Sequence, residues 1–138
     1  MLCFSTTTVS ALDITGYDFK KGSELYKNEK YKKAAALFEQ HLKDNPNDMN
    51  AVVFLAKSYY KLDNIEKSFA FFSKVDVNTL DVETSYEYGQ VYFIKKLYPE
   101  AFLAFKRVPA TGHPLSDLSN YFMGVSSIKN KDYETAEK

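Results

Sequence analysis

The chain has 138 residues, enough for one compact domain or one short solenoid whose core needs no staples. Its 18 Lys+Arg balance 18 Asp+Glu, so no global charge field exists to hold nucleic acid or an anionic membrane. Cys3 is its one cysteine, which excludes an internal disulfide framework and a cysteine-based zinc site, and no apolar run is long enough for a membrane-spanning helix.

Residues 1–14 form a leader that opens MLCFSTTTVSA, apolar and small, with no charge before Asp13. Val9-Ser10-Ala11 fits the small-x-small site that signal peptidase cleaves. The leader is expected to be the tail of a secretion signal whose start has been lost, which would make the protein periplasmic or secreted. A plain extension on a cytoplasmic protein is the alternative. From residue 15 to 138, helical patterns come in pairs. In the first unit, about 15–47, the turn is Lys27-Asn28-Glu29-Lys30 and the second helix runs from Tyr31 to Leu42. Asp44-Asn45-Pro46-Asn47-Asp48 stops it: Pro46 cannot continue a helix, and Asp48 or Asn47 can cap the next.

The second unit, about 48–80, begins with a helix from Asp48 to Lys61. Val52, Leu55, Ala56 and Tyr59 recur in it at steps of three and four, which makes one apolar face. Leu62-Asp63-Asn64 is the turn, and Ile65, Phe69 and Phe72 open the next face. The third unit, about 81–114, places Pro99 in the first turn of its second helix, where a missing amide hydrogen is harmless. A Pro- and Gly-bearing connection, residues 109–114, follows. The fourth unit, 115–138, is partial. Its first helix is expected from Leu115 to Asn130, and DYETAEK reads as the opening of a second, so the natural protein is expected to continue past Lys138.

The units share one period. Gly22, Ala56, Gly89 and Gly124 are separated by 34, 33 and 35 residues. Tyr31, Ile65, Tyr98 and Tyr133 repeat those intervals, as do Ala34, Ser68, Ala101 and Ala136; Phe38, Phe72 and Phe105 keep the first two. A fixed period of this length marks a stacked-repeat architecture. Small residues let two antiparallel helices approach, so Gly22 is expected to face Ala34, Ala56 to face Ser68 and Gly89 to face Ala101.

The order small residue, aromatic, turn, Tyr, Ala, Phe and Pro from Gly22 through Pro46, repeated in YGQVYFIKKLYPEAFLAF, resembles the tetratricopeptide repeat family. The resemblance covers about residues 15–138. It implies an all-α solenoid of helical hairpins, three full repeats and a partial fourth, coiled as a right-handed superhelix. It implies also a concave groove, lined by first helices, that binds a peptide or helix of a partner protein. Asp18, Val52, Ser85 and Asn120 stand where the family often has an aromatic, and Leu80 replaces the terminal Pro in the second unit.

In this register the groove side carries Phe19, Ser23, Tyr26 and Lys27, then Val53, Lys57, Tyr60 and Lys61. Tyr86, Gln90, Phe93 and Ile94 follow, and then Tyr121, Val125 and Ile128. Aromatic residues make up 16% of the chain, and aromatic anchors are the usual carriers of interface energy. The same aromatics also suit packing between neighbouring helices. Family members that clamp a C-terminal carboxylate use a Lys/Arg and Asn set here, which Phe19, Ser23, Val53 and Lys57 do not match.

No phosphate loop, dinucleotide fingerprint or nucleophile elbow occurs, and no cofactor is expected. His41, late in a helix, is expected to face solvent or to favour the helix dipole; His113 sits in a turn. Neither has a carboxylate or cysteine partner at metal-ligand spacing. The sequence therefore points to a non-catalytic scaffold that assembles or regulates an envelope complex. Two rivals fit the same pattern. One is a cytoplasmic secretion chaperone. The other is a module that self-associates through the open fourth unit and recruits a catalytic region lying beyond Lys138.

Overall fold

The structure, a computed structural model, describes residues 11–136, and all regular structure in them is helical. The leader expected at 1–14 lies outside the described residues up to position 10. The helices are α1 (Ala11–Lys27), α2 (Tyr31–Asp44), α3 (Met49–Lys61), α4 (Ile65–Phe72), α5 (Val82–Ile94), α6 (Tyr98–Phe105) and α7 (Ser116–Ala136). A short 3-10 turn, Val77–Thr79, lies between α4 and α5. Each helix packs on the next, and α1 also touches α3 as α3 touches α5. The first helices of the hairpins therefore lie side by side, with the second helices behind them.

Three chain reversals use the same device. Glu29, Asp63 and Lys96 adopt left-handed backbone, with φ of 59°, 57° and 63°. The residue after each donates its amide hydrogen five residues back: Lys30 to Leu25 at 2.8 Å, Asn64 to Tyr59 at 2.9 Å, Leu97 to Tyr92 at 2.9 Å. This closes the helix ends and turns the chain. A left-handed non-glycine residue costs about 1–2 kcal/mol, which the apolar faces joined by the reversal offset. Restarts are capped by side chains. Asp48 accepts from the amides of Asn50 and Ala51, Asn64 from Lys67 and Asp81 from Thr84. Pro99 sits in the first turn of α6, as its position requires.

The fourth unit departs from expectation. α7 runs unbroken through Asn130 and Lys131 to Ala136, where the sequence suggested a turn and a new helix. Lys131 stands 35 residues after Lys96, at the fourth reversal in register. A left-handed residue there would need a following helix to bury against α7. Here the backbone stays helical, which keeps its amides bonded to carbonyls of the preceding turn.

The core is built on the repeating phenylalanines. Phe38, Phe72 and Phe105 are all 0% exposed. Rings bridge the layers: Phe54 stacks on Phe38 with centroids 5.2 Å apart, and Phe122 on Phe105 at 5.3 Å. The small-residue pairing needs correction. A Cβ on Gly22 would lie 3.0 Å from the Phe38 ring, and one on Gly89 would lie 2.7 Å from Phe105. The glycines make room for a phenylalanine four residues beyond the expected alanine, because the ring reaches across the crossing. Ala56 does face Ser68, whose hydroxyl donates to the Ala56 carbonyl at 2.8 Å. Among the described residues, nothing lies within 4 Å of a Cβ placed on Gly124.

His41 also departs from expectation. It is buried, with Nε2 2.8 Å from Asp48 Oδ2 and its ring beside Phe19. The turn around Pro46 folds the end of α2 onto the start of α3, so the cap of one helix also holds the histidine of the other.

Candidate functional site

The residues expected to line the groove fall into three environments. Phe19 and Phe93 are enclosed by other rings. Phe19 lies 5.7 Å from Phe38 and 5.9 Å from Phe54, and Phe93 lies 5.4 Å from Tyr98 and 5.1 Å from Phe122. Both join helices. Tyr26 is half-buried between Tyr31 and Phe54, with the Lys57 ammonium 5.2 Å from its ring centre. Burial, aided by the negative charge of Glu87, raises its phenol pKa well above the ordinary value.

A second set borders hollows. Val53 and Lys57 line a hollow of about 520 Å³ between α3 and the chain leading into α5. Tyr60, Lys61 and Tyr86 line another of about 320 Å³, closed at its far side by His113, Pro114 and Leu115 ahead of α7. The Tyr86 hydroxyl accepts from Gln90 Nε2 at 3.2 Å. The third set stands in solvent: Lys27 is exposed, and Tyr121 is 64% exposed. Ile94 and Ile128 are exposed as well.

One residue on this face was missed from sequence. Glu87, on α5, is only 7% exposed and lines the hollow beside Tyr60 and Tyr86. Lys61 Nζ lies 2.8 Å from its Oε1, and its Oε2 is buried without a hydrogen-bond partner. Glu87 differs from the carboxylates of the outer helices, such as Glu66, which is exposed and held by Lys95 at 2.9 Å.

Residues 19–75 match the family model described as anaphase-promoting complex, cyclosome, subunit 3, whose repeats are tetratricopeptide-like. The matched stretch spans the second half of α1 and all of α2 to α4.

The match supports a tetratricopeptide-type repeat family, and the all-α array of paired helices is consistent with it.

No curated protein matches it. Tetratricopeptide arrays are typically non-catalytic interaction scaffolds. On the inner face the buried Glu87 carboxylate is paired with the more exposed Lys61. Burial raises the Glu87 pKa, more than the Lys61 hydrogen bond and charge lower it. Burial alone would lower Lys61, but the Glu87 carboxylate carries it above its usual value. A raised carboxyl pKa in the folded state means that ionised Glu87 opposes folding, and that the cost disappears as pH falls and the group takes its proton. Glu87→Gln should therefore match or exceed the parent in stability at neutral pH. The difference should shrink in acid, and urea melts at pH 7 and pH 4 check both points.

Proposed function

We propose that the tetratricopeptide array binds a segment of a partner protein along the side-by-side faces of α1, α3, α5 and α7, and so assembles or regulates a multiprotein complex. The single observation that carries this is the pair of hollows between α3 and α5. They are bordered by Val53, Lys57, Tyr60, Lys61 and Tyr86; the valine and the two tyrosines rest against the core and keep part of their surface open. Aromatic and long basic side chains at the edge of a hollow provide anchors that give up water on binding. The matched family is described as a subunit of a complex, which supports an assembly role. The envelope is proposed as the compartment on the strength of the leader, and N-terminal sequencing of the mature protein tests it.

Affinity capture with crosslinking from the native cell tests the face. Wild type should retain a partner that Tyr60→Ala/Tyr121→Ala loses while remaining folded, as its far-UV circular dichroism checks. Phe19 and Phe93 are poor choices for this test, because their rings tie helices together. Equal capture by wild type and the double variant would move the interface off this face.

Self-association is the second reading. A hollow of about 460 Å³ between α6 and α7, with Leu103 55% exposed at its edge, favours it. Sedimentation at rising concentration checks it: a constant monomer mass would eliminate that reading.

A further inference from the structure

We propose that Glu87, with Lys61, forms a subsite on the inner face that takes one basic side chain, arginine or lysine, of the partner segment. The inference rests on the binding face described above and specifies its chemistry.

The first observation is a break in the repeat. At the intervals of 33 and 35 residues that the array keeps, Glu87 is level with Phe54 and Phe122. Both of those rings stack on the phenylalanine of the preceding second helix. For position 87 that phenylalanine is Phe72, and the neighbouring Tyr88 supplies the ring contact, at 5.4 Å. Packing therefore asks for an aromatic at 87, and a carboxylate stands there instead.

The second observation is an open acceptor. Lys61 satisfies Oε1, but Oε2 is buried with no partner. A buried carboxylate with one oxygen unpaired costs stability that its pair with Lys61 offsets only in part. A donor brought by a partner would complete it.

The surroundings set the donor's charge. Glu83 and Glu87 line the hollow with Lys61, and Lys57 and Asp81 act on Glu87 from beyond it, so three carboxylates stand against two lysines. That excess attracts a cation and repels an acidic segment. The rings of Tyr60 and Tyr86 border the same hollow and can flank an ammonium or guanidinium group. Oε2 has almost no exposure, so the donor enters as Lys61, whose side chain is 36% exposed, swings outward.

Four acetylated, amidated peptides of one leucine- and alanine-based sequence, differing only in a central Arg, Lys, norleucine or Glu, provide the test. They are titrated into the chain, and binding is read from the ring resonances of Tyr60 and Tyr86. The Arg and Lys peptides should bind about tenfold or more tightly than the norleucine peptide, the ratio a hydrogen bond to a charged group carries. The Glu peptide should bind weakest. Glu87→Gln should bring the Arg peptide level with norleucine, and so should Glu87→Phe, which restores the aromatic of the repeat. Equal binding of Arg and norleucine peptides at these rings would overturn the subsite and leave the face intact as a docking surface. An Arg preference that survives both variants, or binding by none of the peptides, would also overturn it. The capture experiment with Tyr60→Ala/Tyr121→Ala then judges the face on its own.

Discussion

Phe105→Ala should destabilise the protein by about 3–5 kcal/mol, the range for deleting a fully buried aromatic side chain. Phe105 is 0% exposed and occupies the junction of three helices. Its ring lies 5.7 Å from Tyr86 on α5 and 5.3 Å from Phe122 on α7, and it fills the space left by Gly89. Removing it leaves a cavity between α5 and α6 and takes away the platform on which α7 rests. Neighbouring rings cannot collapse into the gap, because Tyr86 is held through Gln90 and Phe93 is held by Tyr98. The melting temperature should fall by roughly 10 °C or more. Leu103→Ala on the same helix is the control, since Leu103 is 55% exposed and its loss should shift stability by no more than about 0.5 kcal/mol. Similar losses for the two variants would contradict the assigned packing.

Gly89→Leu should cost about 1–3 kcal/mol or more through overpacking. Even the first carbon of the new side chain would lie 2.7 Å from Phe105 Cε1 and 2.9 Å from two further ring atoms. The ring has nowhere to retreat, because Phe122 is stacked on it. Glycine to alanine in a helix interior normally gains about 0.5–1 kcal/mol, so the clash must outweigh that gain. Gly124 occupies the same register and gives the opposite sign. Among the described residues nothing lies within 4 Å of a Cβ there, so in this chain Gly124→Ala should stabilise by up to about 1 kcal/mol. Thermal melts of Gly89→Ala, Gly89→Leu and Gly124→Ala compare the three directly. A stabilising Gly89→Ala would show that the α5–α6 contact is looser than described.

The contrast between Gly89 and Gly124 also shows what a repeat pattern can reveal. Period and residue type located the hairpins, the reversals at Glu29 and Asp63, the cap at Asp48 and the buried face of α3. Each of those depends on residues close together in the chain. Contacts across helices were less legible. The period placed Gly89 opposite Ala101, but the atom it meets belongs to Phe105, because a long ring reaches past the small residue. His41 was misplaced for a similar reason: its partner Asp48 becomes a neighbour only after the Pro46 turn has formed.

The site was less legible than the fold. An aromatic at groove spacing can anchor a partner or join two helices, and spacing alone does not separate the two. The ring contacts of Phe19 and Phe93 join helices; Tyr86 also packs on Phe105 but, like Tyr60, borders a hollow. Glu87 was overlooked because carboxylates on a helix usually face solvent. Its signal was present in the register, as the charged member of a series whose neighbours in the array are Phe54 and Phe122.

Photocrosslinking from single positions in the native cell tests the central claim most directly. A photoreactive phenylalanine analogue replaces Tyr60 on the inner face, Ala70 on the exposed side of α4, or Leu103 at the α6–α7 edge. A partner crosslinked from position 60 and absent from 70 and 103 is the predicted result. Crosslinks from 70 or 103 with none from 60 would contradict it, and would place the interface on the outer helices or the open end.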